Sequence, residues 1–277
     1  MNSDLKKRTI YGTLFLLIMV GGLMFRAGAF CLMMFIMMGS MEEFIDLTSG
    51  KKTVGLQRFL AQLAGVTMLA TMTLYCLGDI GIRWASLSLL PLIAIPISFI
   101  FSGKIEQMDR LLPVYASLAY IALPISLSPF ILFSDGAYSC KLILSLFILI
   151  WMSDIGAYCV GTMFGQKPGS RKLAPTISPK KSWWGFRGGI IAGAVSGIVL
   201  YFCSMLEFNI VHCIILGIIV PVACVCGDLV ESMWKRRYGV KDSGNLIPGH
   251  GGWLDRFDSS LAAIPTAAIY LLTFNLI

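Results

Sequence analysis

The chain has 277 residues, of which 57% are hydrophobic and only 13% are charged, and its mean hydropathy is +0.79. Soluble domains carry about 25% charged residues, so this composition excludes a soluble globular protein and indicates an integral membrane protein. The net charge of +7 is basic, but no nucleic-acid-binding motif accompanies it. We therefore attribute the basic excess to membrane topology and phosphate binding rather than to a nucleic acid partner.

The apolar residues form long segments of about 20 residues, the length that crosses about 30 Å of hydrocarbon as a helix. These segments lack the alternation of apolar and polar residues that is typical of membrane-barrel strands. We predict an all-α, polytopic membrane protein with about nine transmembrane helices, at residues 10–25, 29–45, 59–77, 85–102, 113–133, 142–164, 188–206, 210–234 and 261–277. Five of these helices lie in an N-terminal transmembrane region, 1–140, and four in a C-terminal region, 141–277.

The distribution of Lys and Arg predicts the orientation, because cytoplasmic loops carry the positive excess. With a cytoplasmic N-terminus and nine crossings, only Arg26, Arg83 and Lys141 lie on the far side. The two polar connections of the C-terminal region, 165–187 and 235–258, then share the cytoplasmic face.

Charged residues are concentrated between Asp228 and Asp258, where a long apolar segment ends. If residues 214–234 are helical, Asp228, Glu231, Ser232 and Lys235 share one face of that helix. The spacing therefore predicts a polar stripe at the membrane boundary.

A second acidic pair, Asp255 and Asp258, follows a proline and several glycines that permit a tight reversal of the chain. We expect the reversal to bring the two acidic sets face to face. Carboxylates suit Mg²⁺, which keeps substrate phosphates in its shell, and Lys and Arg bind phosphate oxygens directly. We predict a metal and phosphate site; the alternative for Arg236 and Arg237 is simple anchoring to anionic headgroups.

Two further polar features lie earlier in the C-terminal region. Asp154 is inside the sixth apolar segment, where an ionisable group costs about 2.5–3.5 kcal/mol on insertion scales, so we favour a functional role over a structural hydrogen bond. The connection that follows contains Ser178-Pro179-Lys180-Lys181. Alone, this sequence is typical of a basic cytoplasmic loop, but it can also present a hydroxyl and two ammonium groups to a polyphosphate.

These residues together resemble a known family, the bacterial CDP-diacylglycerol synthases (phosphatidate cytidylyltransferases). The family motif reads here as Ser232, Trp234, Lys235, Arg236, Lys241, Asp242, Gly244, Pro248, His250, Gly251, Gly252, Asp255, Arg256 and Asp258. Asp154, Ala157 and Tyr158, and the stretch from Ser178 to Lys181, resemble two other family segments. The chain departs from the family pattern at Trp184, where an acidic residue is common, and at Trp234 and Trp253, where smaller apolar residues are usual.

The resemblance implies transfer of the cytidylyl group of CTP to phosphatidate, which gives CDP-diacylglycerol and pyrophosphate for phospholipid biosynthesis. It implies a site that faces the cytoplasm in a bacterial inner membrane, with residues 141–277 as the catalytic region. The implied catalytic residues are Asp228, Lys235, Arg236, Lys241, Asp242, His250, Asp255, Arg256 and Asp258, and the implied substrate-binding residues are Asp154, Ser178, Lys180, Lys181 and Ser232. Mg²⁺ is the implied cofactor, with Asp228 and Asp255 as its first ligands, Asp242 and Asp258 as further candidates, and room for a second cation.

Two other functions stay open at this stage. A CTP-dependent lipid kinase of the dolichol or phytol type shares the membrane bundle and the nucleotide, but transfers the γ-phosphate to an alcohol. An anion transporter would explain acidic groups inside the membrane, yet transporters tend to show paired repeats, and residues 228–258 have no second copy.

Small side chains complete the sequence picture. The eight cysteines lack zinc-ligand spacing, so we interpret them as reduced small hydrophobes. Gly188, Gly189, Gly193 and Gly197 predict close helix packing or, as an alternative, a homodimer face.

Overall fold

The computed structural model of the chain describes residues 3–49, 55–101, 109–134, 136–244 and 251–277. Two residues of the predicted motif, Pro248 and His250, lie outside these ranges. Their predicted roles therefore remain predictions.

The described chain is almost entirely helical, as predicted. Its α-helices are α1 (Ser3–Leu23), α2 (Arg26–Ser49), α3 (Gly55–Cys76), α4 (Leu89–Phe101), α5 (Leu111–Ser117), α6 (Leu123–Ser126), α7 (Ser128–Leu132), α8 (Cys140–Phe164), α9 (Trp183–Phe202), α10 (Ile210–Arg237) and α11 (Leu254–Thr273). A 3₁₀ helix, Ile82–Ser88, leads into α4, and a π-helical turn, Leu118–Ala122, joins α5 to α6. Two small antiparallel hairpins complete the fold: β1 (Phe133–Ser134) with β2 (Ala137–Tyr138), and β3 (Lys172–Ala174) with β4 (Ser178–Ser182).

Each predicted transmembrane segment overlaps a helix or a run of consecutive helices. Within the described ranges, seven helical stretches are long and apolar enough to cross a membrane: Arg26–Ser49, Gly55–Cys76, Ile82–Phe101, Leu111–Leu132, Cys140–Phe164, Trp183–Phe202 and Ile210–Arg237. The apolar part of α1, Ile10–Leu23, is shorter, and α11 begins with the charged Asp255, Arg256 and Asp258. An all-α polytopic membrane protein is confirmed, whereas the number nine and the cytoplasmic N-terminus stay predictions.

The chain forms two compact units. The first consists of Met1–Cys140 with Asp242–Phe257, and the second of Lys141–Lys241 with Asp258–Ile277. Asp242–Phe257, which carries much of the predicted motif, is part of the first unit, and our division into regions 1–140 and 141–277 stays a prediction.

Glycines hold α8, α9 and α10 of the second unit close together. A Cβ atom added at Gly188 of α9 would lie 2.8 Å from the carbonyl oxygen of Gly156 in α8, and one at Gly185 would lie 2.9 Å from that of Ala157. On the other side of α9, a Cβ atom at Gly217 of α10 would lie 2.9 Å from the Cα of Ala194. The predicted close helix packing therefore occurs within the chain, and it fixes the three helices that surround the cavity described next.

Candidate functional site

A cavity of about 600 Å³ lies in the second unit, between α8, the β3–β4 hairpin, α9 and α10. Its lining combines charged groups from three separate parts of the sequence: Asp154 from α8, Lys180 and Lys181 from β4, and Asp228 from α10. Ser259 of α11 also reaches it. The cavity thus brings together polar residues that stand out separately in the sequence.

The β3–β4 hairpin explains how the two lysines reach the cavity. Lys172 pairs with Ser182, and Ala174 pairs with Ser178, so β4 is antiparallel to β3. The last residue of β4, Ser182, directly precedes α9. Ser182 then caps α9, because its hydroxyl accepts a hydrogen bond from the backbone N–H of Gly185 at 3.1 Å. The connection predicted as a loop is therefore a short hairpin anchored at a helix N-terminus.

An ion pair joins the hairpin to α10. The Nζ atom of Lys181 lies 2.6 Å from Oδ2 of Asp228, with both side chains partly exposed to the cavity. The other oxygen of Asp228, Oδ1, accepts a hydrogen bond from the Ser232 hydroxyl at 3.2 Å, one helical turn along α10. The β3–β4 hairpin and α10 therefore meet at one carboxylate group.

Arg236 of α10 also forms a hydrogen bond with the loop between β3 and β4. Its Nε donates to the carbonyl oxygen of Ile177 at 3.2 Å, and its Nη1 donates to that of Val240 at 3.1 Å. The guanidinium thus binds one backbone carbonyl just before β4 and one just after α10, and its predicted contact with phosphate stays a prediction.

A second carboxylate of the α10 stripe lies deeper in the protein. Glu231 is fully buried and its Oε2 lies 2.6 Å from Nζ of Lys235, one turn further along. The carboxyl group of Asp258 lies near Glu231, and its Oδ1 accepts a hydrogen bond from the backbone N–H of Ser259 at 2.6 Å. Lys235, predicted as a phosphate ligand, is therefore held by a buried acid, and Glu231, which we did not assign to the site, stands at the centre of this cluster.

In the first unit, Asp255 organises the turn of the motif segment. Its Oδ2 accepts hydrogen bonds from the backbone N–H groups of Ser243 at 3.0 Å and Gly252 at 2.8 Å. Gly251 adopts a φ of +83°, a left-handed conformation that favours glycine. One oxygen of the predicted metal ligand is thus committed to the backbone of its own loop.

The geometry can be compared with known proteins at this point. The model of the "Cytidylyltransferase family" matches residues 6–274, nearly the whole chain. The chain belongs to the cytidylyltransferase family. This confirms the family suggested by the motif residues.

Several curated relatives in this cytidylyltransferase family carry the name phosphatidate cytidylyltransferase. The protein of Haemophilus influenzae is 40% identical over 189 residues, which cover 67% of this chain and 64% of that protein. The protein of Staphylococcus haemolyticus is 44% identical over 139 residues, 50% of this chain and 51% of its own, and that of Bacillus subtilis is 43% identical over 128 residues, 46% of each. The chain therefore spans between about half and two thirds of the length of the curated relatives it matches.

The other residues predicted for the site lie in both units. Lys241 and Asp242 are exposed at the boundary between the two units, Arg256 is exposed in the first turn of α11, and Ser178 opens β4. Asp228 and Asp255 belong to different compact units, so their sharing of one metal ion stays a prediction. Among the described residues, no group of three or more His, Cys, Asp or Glu side chains is gathered closely enough to hold a metal.

Trp184 and Trp253 are two of the three tryptophans at which the chain departs from the family pattern. Trp184 is half-exposed; its ring lies 5.8 Å from that of Phe164, and the Arg187 guanidinium lies 5.6 Å from it. Trp253 donates its indole N–H to the carbonyl oxygen of Ile36 at 3.2 Å, and it fits against α2 because residue 39 is glycine. A larger ring is thus accommodated by packing in both places.

Proposed function

We propose that this chain transfers the cytidylyl group of CTP to phosphatidate, forming CDP-diacylglycerol and pyrophosphate. The observation that carries the proposal is the single cavity in which Asp154 and Asp228 stand with Lys180 and Lys181. A site of this kind suits two anionic phosphates, since ammonium groups bind phosphate oxygens while carboxylates recruit a cation between them. The names of the relatives in Haemophilus, Staphylococcus and Bacillus support the same activity.

The reaction needs no covalent intermediate on the protein. A phosphate oxygen of phosphatidate attacks the α-phosphorus of CTP, the bond from that phosphorus to the bridging oxygen of the β-phosphate breaks, and pyrophosphate leaves with the electron pair. The task of the protein is to hold two anions in line and to stabilise the charge that develops on the leaving group. Lys180 and Lys181 are placed to do this for the triphosphate.

We further propose Mg²⁺ as the cofactor. Asp228 would hold it together with a second carboxylate, either Asp255 as the family resemblance implies or Asp154, which lines the same cavity. The donor set fits, because Mg²⁺ is commonly bound by one or two carboxylates and completes its shell with substrate phosphates and water. When bound, the ion offsets the negative charge of the phosphoryl groups; a second cation is compatible with the number of acidic groups.

The membrane topology forms a testable part of the proposal. We place the protein in a bacterial inner membrane with residues 165–187 and 235–258 in the cytoplasm, since these stretches carry most of the basic residues of the C-terminal region. A reporter protein fused after Arg187 or after Tyr238 should lie in the cytoplasm, and one fused after Ile277 should lie on the other side of the membrane. A C-terminus on the cytoplasmic side would show that one of the nine predicted helices does not cross the membrane.

Replacing Lys181 tests whether the cavity binds the triphosphate. Loss of one charge-assisted hydrogen bond weakens binding by roughly 1.5–3 kcal/mol, so Lys181→Ala should lower kcat/KM for CTP by about one to two orders of magnitude. Lys141→Ala is the matched control, because Lys141 forms an exposed ion pair with Glu207 outside the cavity. An equal loss in both variants would show that lysine charge in general, rather than this site, is being measured.

The reaction can be followed through its water-soluble product. Protein purified in detergent should release pyrophosphate from CTP only when phosphatidate is added, and diacylglycerol should not substitute for it. Release with the alcohol, or without any lipid, would contradict the proposed acceptor.

A further inference from the structure

Glu43, near the end of α2, binds a segment that lies 200 residues later in the chain. Its Oε1 accepts a hydrogen bond from the backbone N–H of Trp253 at 2.7 Å. Its Oε2 accepts from the backbone N–H of Leu254 at 2.9 Å and from the Ser243 hydroxyl at 2.9 Å. One carboxylate thus joins both ends of the motif segment, and all of these residues belong to the first compact unit.

The fit around this carboxylate is close. A Cβ atom at Gly244 would lie 2.6 Å from Oε1 of Glu43, and one at Gly252 would lie 2.6 Å from the backbone nitrogen of Gly244. Side chains other than hydrogen at these two positions would displace either the carboxylate or the backbone. The absence of a side chain at Gly244 and Gly252 therefore allows the backbone at these two positions to lie close to the Glu43 carboxylate.

The same segment carries Asp255, and the two carboxylates share a neighbour. Ser243 donates its backbone N–H to Asp255 and its hydroxyl to Glu43. Gly252, the other donor to Asp255, directly precedes Trp253, a donor to Glu43. The orientation of Asp255 therefore depends on backbone groups whose own positions Glu43 sets.

The Glu43 carboxylate lies at the N-terminus of a helix. Trp253 and Leu254 lie at the start of α11, where free N–H groups and the helix dipole stabilise a negative charge. A cap of this kind is structural when it stands alone. Here its donors flank the residue that the resemblance implies as a metal ligand, which extends its effect to the site.

We propose that Glu43 is a positioning residue of the cytidylyl-transfer site: its carboxylate joins Ser243 to Trp253 and Leu254 and thereby fixes Asp255 and the first turn of α11. The proposal rests on the proposed function for its catalytic consequence. The contact itself does not, because it is defined by three hydrogen bonds.

The neighbouring Glu42 provides a matched control. It lies on the same helix and carries the same charge, but it pairs with Arg58 rather than with the motif segment. We would prepare Glu43→Ala, Glu43→Gln and Glu42→Ala in the full chain, and measure hydrogen exchange of peptides covering 251–257, Tm in detergent, and kcat and KM for CTP.

Glu43→Ala should raise exchange in 251–257 selectively and lower kcat by about 10- to 100-fold, because small displacements of a reacting group have effects of this size. KM for CTP should change by less than about threefold, since Glu43 is not one of the residues that line the cavity with Lys181. Glu43→Gln, which keeps one acceptor oxygen and the shape of the side chain, should restore part of kcat. Glu42→Ala should leave kcat and exchange in 251–257 at the wild-type values.

Selective exchange with an unchanged kcat would overturn the positioning role, and unchanged exchange in 251–257 would overturn the contact. If Glu43→Ala does not fold, Glu43→Gln decides the matter by the same two readouts. Exchange is measured without substrate, so an unmodified chain that transfers no cytidylyl group would contradict the proposed function while leaving the test of the contact intact.

Discussion

Asp228→Asn should lower kcat by about 10²–10³-fold, the size of effect seen when one preorganised charged or polar group is removed from a reacting centre. Asp228 lines the cavity, pairs with Lys181 and accepts from Ser232, so it connects the hairpin, α10 and the proposed cation. Asparagine keeps the shape and one acceptor oxygen but removes the charge. The measurement is the initial rate of pyrophosphate release at saturating CTP and phosphatidate.

The control for this variant is Glu207→Gln, which removes an exposed carboxylate that pairs with Lys141. It should retain the rate of the unmodified protein. Because Asp228 is partly exposed, Asp228→Asn should also keep its Tm within a few degrees. A near-normal rate in Asp228→Asn would exclude this residue as an essential ligand.

Lys235→Met should destabilise the protein strongly. Glu231 is fully buried and faces the Lys235 ammonium at 2.6 Å, and removal of one partner from a buried ion pair costs about 3–5 kcal/mol. For a chain of this size, that loss corresponds to a fall in Tm of roughly 10 °C. Thermal unfolding in detergent, followed by tryptophan fluorescence, measures it.

A double variant replaces both charges of the Glu231–Lys235 pair. Glu231→Gln combined with Lys235→Met removes both charges of the pair, so it should recover much of the lost Tm. Arg237→Met, an exposed position on the same helix, serves as the control for loss of positive charge. A Tm for Lys235→Met equal to that of Arg237→Met would contradict a stabilising buried pair.

The part of the site on α10 follows from helical periodicity. Residues four apart lie on the same face of a helix, and the structure shows the corresponding contacts between Asp228 and Ser232 and between Glu231 and Lys235.

Other features have no local signal in the sequence. The β3–β4 hairpin has strands of 3 and 5 residues, the longer one containing Pro179, and such short strands give too few residues for a period of two to be recognised. The contact of Glu43 with residues 243–254 spans about 200 positions, and no periodicity relates residues so far apart. The resemblance implies Asp255 as a metal ligand, which stays a prediction, whereas its hydrogen bonds to the backbone of Ser243 and Gly252 have no signal in the sequence.

The central claim is that the chain transfers a cytidylyl group rather than a terminal phosphate. The most direct measurement supplies detergent-purified protein with phosphatidate, Mg²⁺ and CTP that carries label either at the α-phosphate or at the γ-phosphate. Cytidylyl transfer predicts that the α-label enters the lipid fraction while the γ-label stays in water as pyrophosphate, in equal amounts. Label from the γ-phosphate in the lipid fraction, or α-label confined to water in a folded preparation, would contradict the account.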